Sequence, residues 1–596
     1  MLAVFVAAKI VFVLYNSDNQ QTTFGDVVDI IVHGFLQDLA TACYLAIVPW
    51  VASVVSIWFN QRWLIKATNI YYGLIALTLS LILVGDCILY SFWQFKLDAT
   101  IFNYLDNLSN VTANISVLML VLALVIIVAI TVGIWFGMHL ITTRVITPCL
   151  YKIRTMVAFV LVASLMFLAI RGGVGRSTMN PGHAYYSTNQ FCNHAAVNPA
   201  FSLSYSMLKY KSFNKLYQFY DNQSECERYF KQLAYSTQSI DTEAVLTTQR
   251  PNIVLILMEG LCANFIAPLG GEPDVTPNIN YLSQEGLLFT RCYANSYRTD
   301  RGTVCALSGY PSFPDFSVMK ITEKSSKLPS IARSLANNGY TTSYLYGGDK
   351  NFTNANSYLL ATGYQKVWGY EHFPSSVRKT HSWGVTDYIV LDTLYNNISQ
   401  QYATGKPFFI TCQTLASHED WKVPYNRIRN NPKANSMAYL DDCIGKLVKR
   451  LRKTPMWNNL LLVLIPDHGI TYPDSVTEED IQKYHIPILW IGGAVKRQAD
   501  YNKLCNQTDL AATMLGQLGI SHHEFTFSRD VFSSTYTYPC AIHTFNSGVS
   551  LIDTTGVTIE DLTSRQILED YPTPSKERTR RAHSFLQTAI RDLYKR

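Results

Sequence analysis

"PNIVLILMEG", residues 251–260, decides the fold. Ile253 to Met258 form an unbroken apolar run that ends on an acid, Glu259. Such a run is short for a helix and does not alternate, so it reads as a strand covered on both faces, as in a parallel sheet. Three other stretches repeat the plan: "TSYLYGGD" at 342–349, "PFFITCQTLASHE" at 407–419 and "NLLLVLIPDHG" at 459–469. Each is an apolar strand pattern followed by Asp, Glu or His. Amphipathic stretches such as "KLPSIARSLANNGY" (327–340) and "MAYLDDCIGKLVKRLRK" (437–453) lie between them and suit crossover helices. The alternation predicts an α/β domain with a mostly parallel central sheet. Ligands in such sheets bind beyond the strand carboxyl ends, where these polar residues gather.

The N-terminal part of the 596-residue chain has a different texture. Apolar residues make up 48% of the whole and charged residues only 15%, less charge than a soluble protein of this size carries. Five apolar runs precede residue 172, at 2–15, 39–59, 72–93, 116–138 and 156–170. The middle three are long enough to cross a ~30 Å hydrocarbon core. The first is short and contains Lys9, so either that side chain snorkels or the chain start clips a longer helix. A cleaved signal peptide fits poorly, because a basic n-region and a small-residue cleavage site are missing.

Loop charges orient the spans. Arg62 and Lys66 in one loop, and Arg144, Lys152 and Arg154 in another, face no acids, whereas Asp18, Asp26, Asp29, Asp98 and Asp106 dominate the other two loops against a single Lys96. The basic loops are then cytoplasmic, and everything after Arg171 lies outside the membrane. Asp86 sits mid-run in "LVGDCIL" and either faces the bundle interior or is a locally paired or neutral acid. The expected organisation is a five-helix transmembrane domain (1–171), an extracytoplasmic connecting segment (172–248) and an α/β domain (249–596). A net charge of +6 without a basic block excludes a nucleic-acid partner. Among twelve cysteines there is no CxxC pair and no zinc-finger spacing; a Cys192–Cys226 bridge is compatible with an oxidising compartment.

Glu259, Asp467 and His468 each follow a strand pattern. Two carboxylates and an imidazole are ligands for a divalent ion such as Mn²⁺, Mg²⁺ or Zn²⁺, and Gly469 gives the Asp-His pair room to turn toward one ion. Singly, Glu259 reads as a helix cap and an Asp-His pair as a turn; three converging strand ends make the metal site the better reading.

These motifs, with "TPNINYLSQEGLLFTRCYAN" (276–295), "SGYPSFP" (308–314) and "TDLAATMLGQLGI" (508–520), occur in the order seen in the sulfatase-like enzymes of the alkaline phosphatase superfamily. With the preceding spans, the chain resembles the lipoteichoic acid synthase type of phosphoglycerol transferase. The resemblance implies a nucleophile ten residues before the glycine of a Ser-Gly pair. Ser308-Gly309 is that pair, which points to Thr299, with Thr303 as competitor. Cys305 is not in the C-x-P-x-R setting of true sulfatases, since "ALSG" follows it, and reads as a packing residue. The resemblance further implies one divalent metal ion, manganese first with Mg²⁺ or Zn²⁺ as alternatives, bound by Glu259, Thr299, Asp467 and His468. It also implies head-group contacts from Asp349 and His418, the latter as general acid. Arg301 either orients phosphate or makes a surface salt bridge. Gly347 stands where the family has histidine, and "KNFTNAN" (350–356) lacks the family's Trp and Arg, which puts the head group in question. Trp383 is a substitute wall or a core residue, and His485 a site-lining or structural histidine.

The implied activity moves phosphoglycerol from a membrane phospholipid, such as phosphatidylglycerol, to a glycan or lipid acceptor through a covalent threonine intermediate. The alternatives are phosphoethanolamine transfer, phosphodiesterase or sulfatase-type hydrolysis, and a non-catalytic envelope binding protein.

Overall fold

The four stretches read as strands are strands. A computed structural model describes the chain except residues 18–21, 60–61, 94–95, 98, 100, 102–116, 143–148, 210–215, 236–240, 419–420, 497 and 547. Asp18, Asp98, Asp106 and Arg144, used above for orientation, and Glu419 lie outside the described residues. Contacts divide the chain into Met1–Lys211 and Ser212–Arg596.

In the second unit, β1 (Asn252–Met258), β5 (Phe408–Gln413) and β6 (Leu460–Pro466) are buried along their whole lengths. β1 pairs in parallel with both others, which is why its side chains are apolar on both faces. The sheet continues through β2 (Leu287–Tyr293), β3 (Thr341–Tyr346), β4 (Lys366–Trp368), β7 (His485–Ile491) and β8 (Ala499–Tyr501) in the order β4-β3-β5-β1-β6-β7-β2-β8, with β9 (Cys505–Asn506) beside β2. Only β7 runs against its neighbours β6 and β2. The helices Asp387–Ala403 and Pro432–Leu451 cover one face, their apolar sides packed on β1, β5 and β6 in the main core. Glu259, Asp467, Asp349 and His418 all follow the carboxyl ends of strands that point the same way.

A second sheet was not foreseen from the sequence. β10 (Cys540–Phe545), β11 (Gly548–Asp553), β12 (Gly556–Asp561) and β13 (Gln566–Tyr571) form an antiparallel ladder, followed by the helix Lys576–Lys595. It supports the main sheet directly. Asn295, just after β2, donates from Nδ2 to the Ile542 carbonyl at 2.9 Å, and its own carbonyl accepts from the Thr544 amide at 2.9 Å.

Among the described residues, the first unit holds four helices long and apolar enough to cross a membrane, Phe24–Trp58, Trp63–Ser91, Val121–Ile141 and Lys152–Arg171. The helix Leu2–Asn16 is shorter: 15 residues at ~1.5 Å each reach ~22 Å, less than the hydrocarbon thickness. Lys9 does not snorkel; it is buried and ion-paired with Asp38, whose other oxygen accepts from Asn198 Nδ2 at 2.8 Å. A charge neutralised by a neighbouring helix has no need to reach water. Asp86 is likewise paired, with Lys96 Nζ at 2.6 Å. Gln37 donates to the carbonyls of Asn180 (2.9 Å) and Pro181 (3.0 Å), so residues expected as a connector fold with the helices instead. The Cys192–Cys226 bridge is not formed: both thiols are free, and Cys226 Sγ packs 3.8 Å from the Ser584 carbonyl.

Candidate active site

Backbone geometry at two strand ends builds the acid cluster. Leaving β1, Glu259 is fixed by its amide, which donates to Thr414 Oγ1 at 3.0 Å, and by its carbonyl, which accepts from Ser417 Oγ at 2.5 Å. Leaving β6, Asp467 turns Oδ1 onto the amides of His468 (2.8 Å) and Gly260 (3.1 Å). One ligand atom each from Glu259, Asp467 and His468 lies within 4.8 Å of the others.

Thr299 opens the helix Thr299–Ser308. Its Oγ1 donates to Glu259 Oε2 at 3.1 Å and lies 3.3 Å from His468 Nε2. The helix comes this close because residue 302 is glycine: a Cβ there would meet the Asp467 carbonyl oxygen at 1.8 Å. Gly469 serves the same purpose rather than flexibility, since a Cβ would lie 1.8 Å from the Lys483 carbonyl oxygen. The positive end of the helix dipole thus faces the cluster, favouring an alkoxide or phosphate at Thr299.

The cluster carries excess negative charge. Burial, reinforced by the Glu259 carboxylate, pushes Asp467 up to about 7. Burial lowers His468, but the carboxylates of Asp467 and Glu259 overcome it and hold the imidazole near about 9. Asp467 Oδ2 is buried with no hydrogen-bond partner among the described residues. A fully buried carboxylate oxygen left unbonded, beside a second acid and an imidazole, fits a divalent cation of the Mn, Mg or Zn kind.

Glu259, Thr299 and His468 line a cavity of about 400 Å³. Asp349, Trp383 and His418 line it. Trp383 is a wall rather than core: its ring centre lies 3.9 Å from that of His418 and 5.8 Å from that of Phe352. Thr303 also lines the cavity, but the hydroxyl bonded to the acid cluster is that of Thr299. Arg301 does not take a substrate-facing or salt-bridging place; its guanidinium donates to the carbonyls of Phe316 (3.1 Å) and Pro314 (3.4 Å). His485 is structural, bonded through Nε2 to the Thr290 carbonyl at 2.8 Å. Cys305 is fully buried.

The sequence reading missed Gln507, whose Nε2 donates to the carbonyls of Pro466 (2.7 Å) and Asp467 (2.8 Å) and fixes the ligand-bearing turn. It also missed Lys320, Lys350, Lys433 and Lys483, which line the cavity from four separate segments. No local pattern marks any of them.

Residues 251–520 match the Sulfatase family model. Among curated proteins, the chain is 24% identical over 332 residues to phosphoglycerol transferase I of Xanthomonas campestris pv. campestris, covering 51% of this chain and 47% of that one. It is 24% identical over 213 residues to phosphoglycerol transferase I of Escherichia coli O127:H6, covering 33% and 28%. The chain thus spans about half the length, or less, of the curated relatives it matches. Among solved structures, an alkaline phosphatase superfamily protein from Vibrio parahaemolyticus superposes with a TM-score of 0.55 at 22% identity, covering 64% of this chain and 98% of that one. The lipoteichoic acid synthase LtaP from Listeria monocytogenes does so with a TM-score of 0.52 at 15% identity, covering 61% and 98%. The structural likenesses establish the fold.

Proposed function

We propose that this chain, whose residues 251–520 form a sulfatase-family domain, is a membrane-anchored, metal-dependent transferase. It takes phosphoglycerol from a phospholipid donor such as phosphatidylglycerol and passes it to a glycan or lipid acceptor. The observation that carries the reading is Thr299 Oγ1, bonded to Glu259 and beside His468 in the cavity wall.

Glu259, Asp467 and His468, with Thr299 Oγ1, would hold one divalent ion, most simply Mn²⁺, which supplies Lewis acidity to the hydroxyl and to the phosphate oxygens. Glu259 accepts the Thr299 proton as Oγ1 attacks phosphorus. His418 protonates the departing diacylglycerol oxygen, leaving a phosphodiester on Thr299. In the second half-reaction an acceptor hydroxyl gives its proton to His418 as it displaces Thr299, and Glu259 returns the held proton to Oγ1. Asp349 accepts from the head-group hydroxyls while Trp383 and Phe352 wall them in. A phosphoethanolamine donor is the second reading, favoured by that same carboxylate beside aromatic faces, which also suits an ammonium.

Five helices anchor the domain, with Leu2–Asn16 completing the set, and the catalytic unit is extracytoplasmic. Lys66, Lys152 and Arg154 against Asp26 and Asp29 support that orientation. A membrane anchor suits this reaction because donor lipid and membrane-bound product both sit at the bilayer surface.

The test is to incubate the protein with Mn²⁺ and either phosphatidylglycerol or phosphatidylethanolamine, without acceptor, and map adducts by peptide mass spectrometry. A phosphoglycerol mass on Thr299 is the expected result. A phosphoethanolamine mass keeps the mechanism and changes the donor. Diacylglycerol release without an adduct favours phosphodiesterase action, and neither adduct nor release favours a binding protein.

A further inference from the structure

Two turns must hold a fixed spacing for the site to exist. One follows β6 and carries Asp467 and His468; the other leads from β2 through Asn295 to Thr299. Their strands are not neighbours, because β7 stands between β6 and β2. The sheet ladder alone therefore does not join the two turns.

Gln507 reaches both. It is fully buried, between β9 and the helix Asp509–Gln517. Its Nε2 donates to the carbonyls of Pro466 (2.7 Å) and Asp467 (2.8 Å), while its Oε1 accepts from the Asn295 amide at 3.4 Å. The backbone repeats the link: the Gln507 amide donates to the Tyr293 carbonyl at 2.9 Å, and the Thr508 amide to Asn295 Oδ1 at 3.0 Å. The Asp467 carbonyl held by Gln507 is also the group against which Gly302 packs, since a Cβ at 302 would meet its oxygen at 1.8 Å. The path from Gln507 to Asp467, to the helix of Thr299, and back through Asn295 is thus closed. Only a primary amide offers two N–H donors and an acceptor without carrying charge.

We propose that Gln507 is a positioning residue for the transferase, setting the spacing between the Asp467–His468 turn and the nucleophile. It is not among the residues lining the cavity, so it acts through Asp467 and Asn295. The kinetic consequence rests on Thr299 as nucleophile; the bridge itself is tested without metal or substrate.

Gln587 supplies a control. It is equally buried and makes three side-chain bonds, accepting from the amides of Phe219 (2.7 Å) and Tyr220 (2.9 Å) and donating to the Tyr220 carbonyl at 3.0 Å. None of these residues lines the cavity. Gln507→Met and Gln587→Met each remove three hydrogen bonds and keep an unbranched side chain.

Metal-free, full-length protein in detergent is first followed by hydrogen–deuterium exchange. Gln507→Met should speed exchange in both 293–299 and 466–469 by about fivefold or more, the size of one hydrogen bond. Gln587→Met should leave both segments as in the wild type. With Mn²⁺ and phosphatidylglycerol, the rate constant for adduct formation on Thr299 should fall about 10²-fold in Gln507→Met, with donor KM within about twofold. Gln587→Met should keep the wild-type rate constant. A merely structural role lowers the folded fraction, hence the amplitude of adduct formation and not its rate constant. Gln507→Asn, a milder change that draws the amide back by one methylene, should show the same pattern at smaller size. Exchange that quickens in one turn alone, or in neither, overturns the bridge. Both turns loosened with an unchanged rate constant overturns the positioning role. No adduct in the wild type overturns the transferase reading, and the exchange result then still decides the bridge.

Discussion

Both units of the molecule bury charge, and they do it differently. In the first, Lys9 matches Asp38 and Lys96 matches Asp86, one cation to one anion. In the second, Arg529 with Asp509 (2.7 Å) follows the same rule. The cluster of Glu259, Asp467 and His468 does not: two carboxylates share one imidazole, and one oxygen is left without a hydrogen bond. Matched pairs hold elements together, whereas an unmatched cluster attracts positive charge. The contrast predicts opposite consequences for substitution, stability lost from the first kind and activity from the second.

The largest effect is expected at Thr299. Thr299→Ala should lower phospholipid turnover by about 10⁴-fold or more, with no covalent adduct and an unchanged melting temperature. A drop in stability of similar weight would erase the contrast. Next, Asp38→Ala leaves the Lys9 charge buried and alone, and should cost about 3–5 kcal/mol. Unfolding in detergent followed by circular dichroism measures this, and Lys9→Met/Asp38→Leu should recover most of the loss. His418→Gln should slow adduct formation about 10²-fold, with the deficit shrinking for donors that have better leaving groups.

Proton linkage sharpens the comparison further. Asp467 and His468 are both held above their ordinary values, and binding a cation requires both to give up protons. Mn²⁺ affinity should therefore weaken as pH falls, by about tenfold per unit between about 9 and 7 and more steeply below. Calorimetric titration in buffers of different ionisation enthalpy reads the released protons; affinity flat with pH would mean the acids are not ligands. The smallest effect is expected at Arg301, because its guanidinium serves backbone carbonyls. Arg301→Met should change donor KM by less than about threefold while lowering the melting temperature by a few degrees.

The parallel strands were legible because burial on both faces writes an unbroken apolar run. The ligands were legible because each directly follows such a run. Thr299 was reached through motif order, not chemistry, since threonines at 299 and 303 look alike in sequence. The second sheet stayed hidden: the β11–β12 turn is Asp553-Thr554-Thr555-Gly556 and lacks an Asn-Gly or Asp-Gly pair at its centre. Asp553 Oδ1 closes it by accepting from the Thr555 amide at 2.8 Å and the Gly556 amide at 3.1 Å. Lys9 misled because a lone lysine in an apolar run gives no sign of a partner 29 positions away. The lysines around the cavity and Gln507 were invisible for the same reason.

The bond from Asn295 to the Ile542 carbonyl spans 247 positions. It sets an order of assembly. A ribosome delivers Thr299 long before β10 exists, so the loop that aims the nucleophile gains this brace only once that strand has been made.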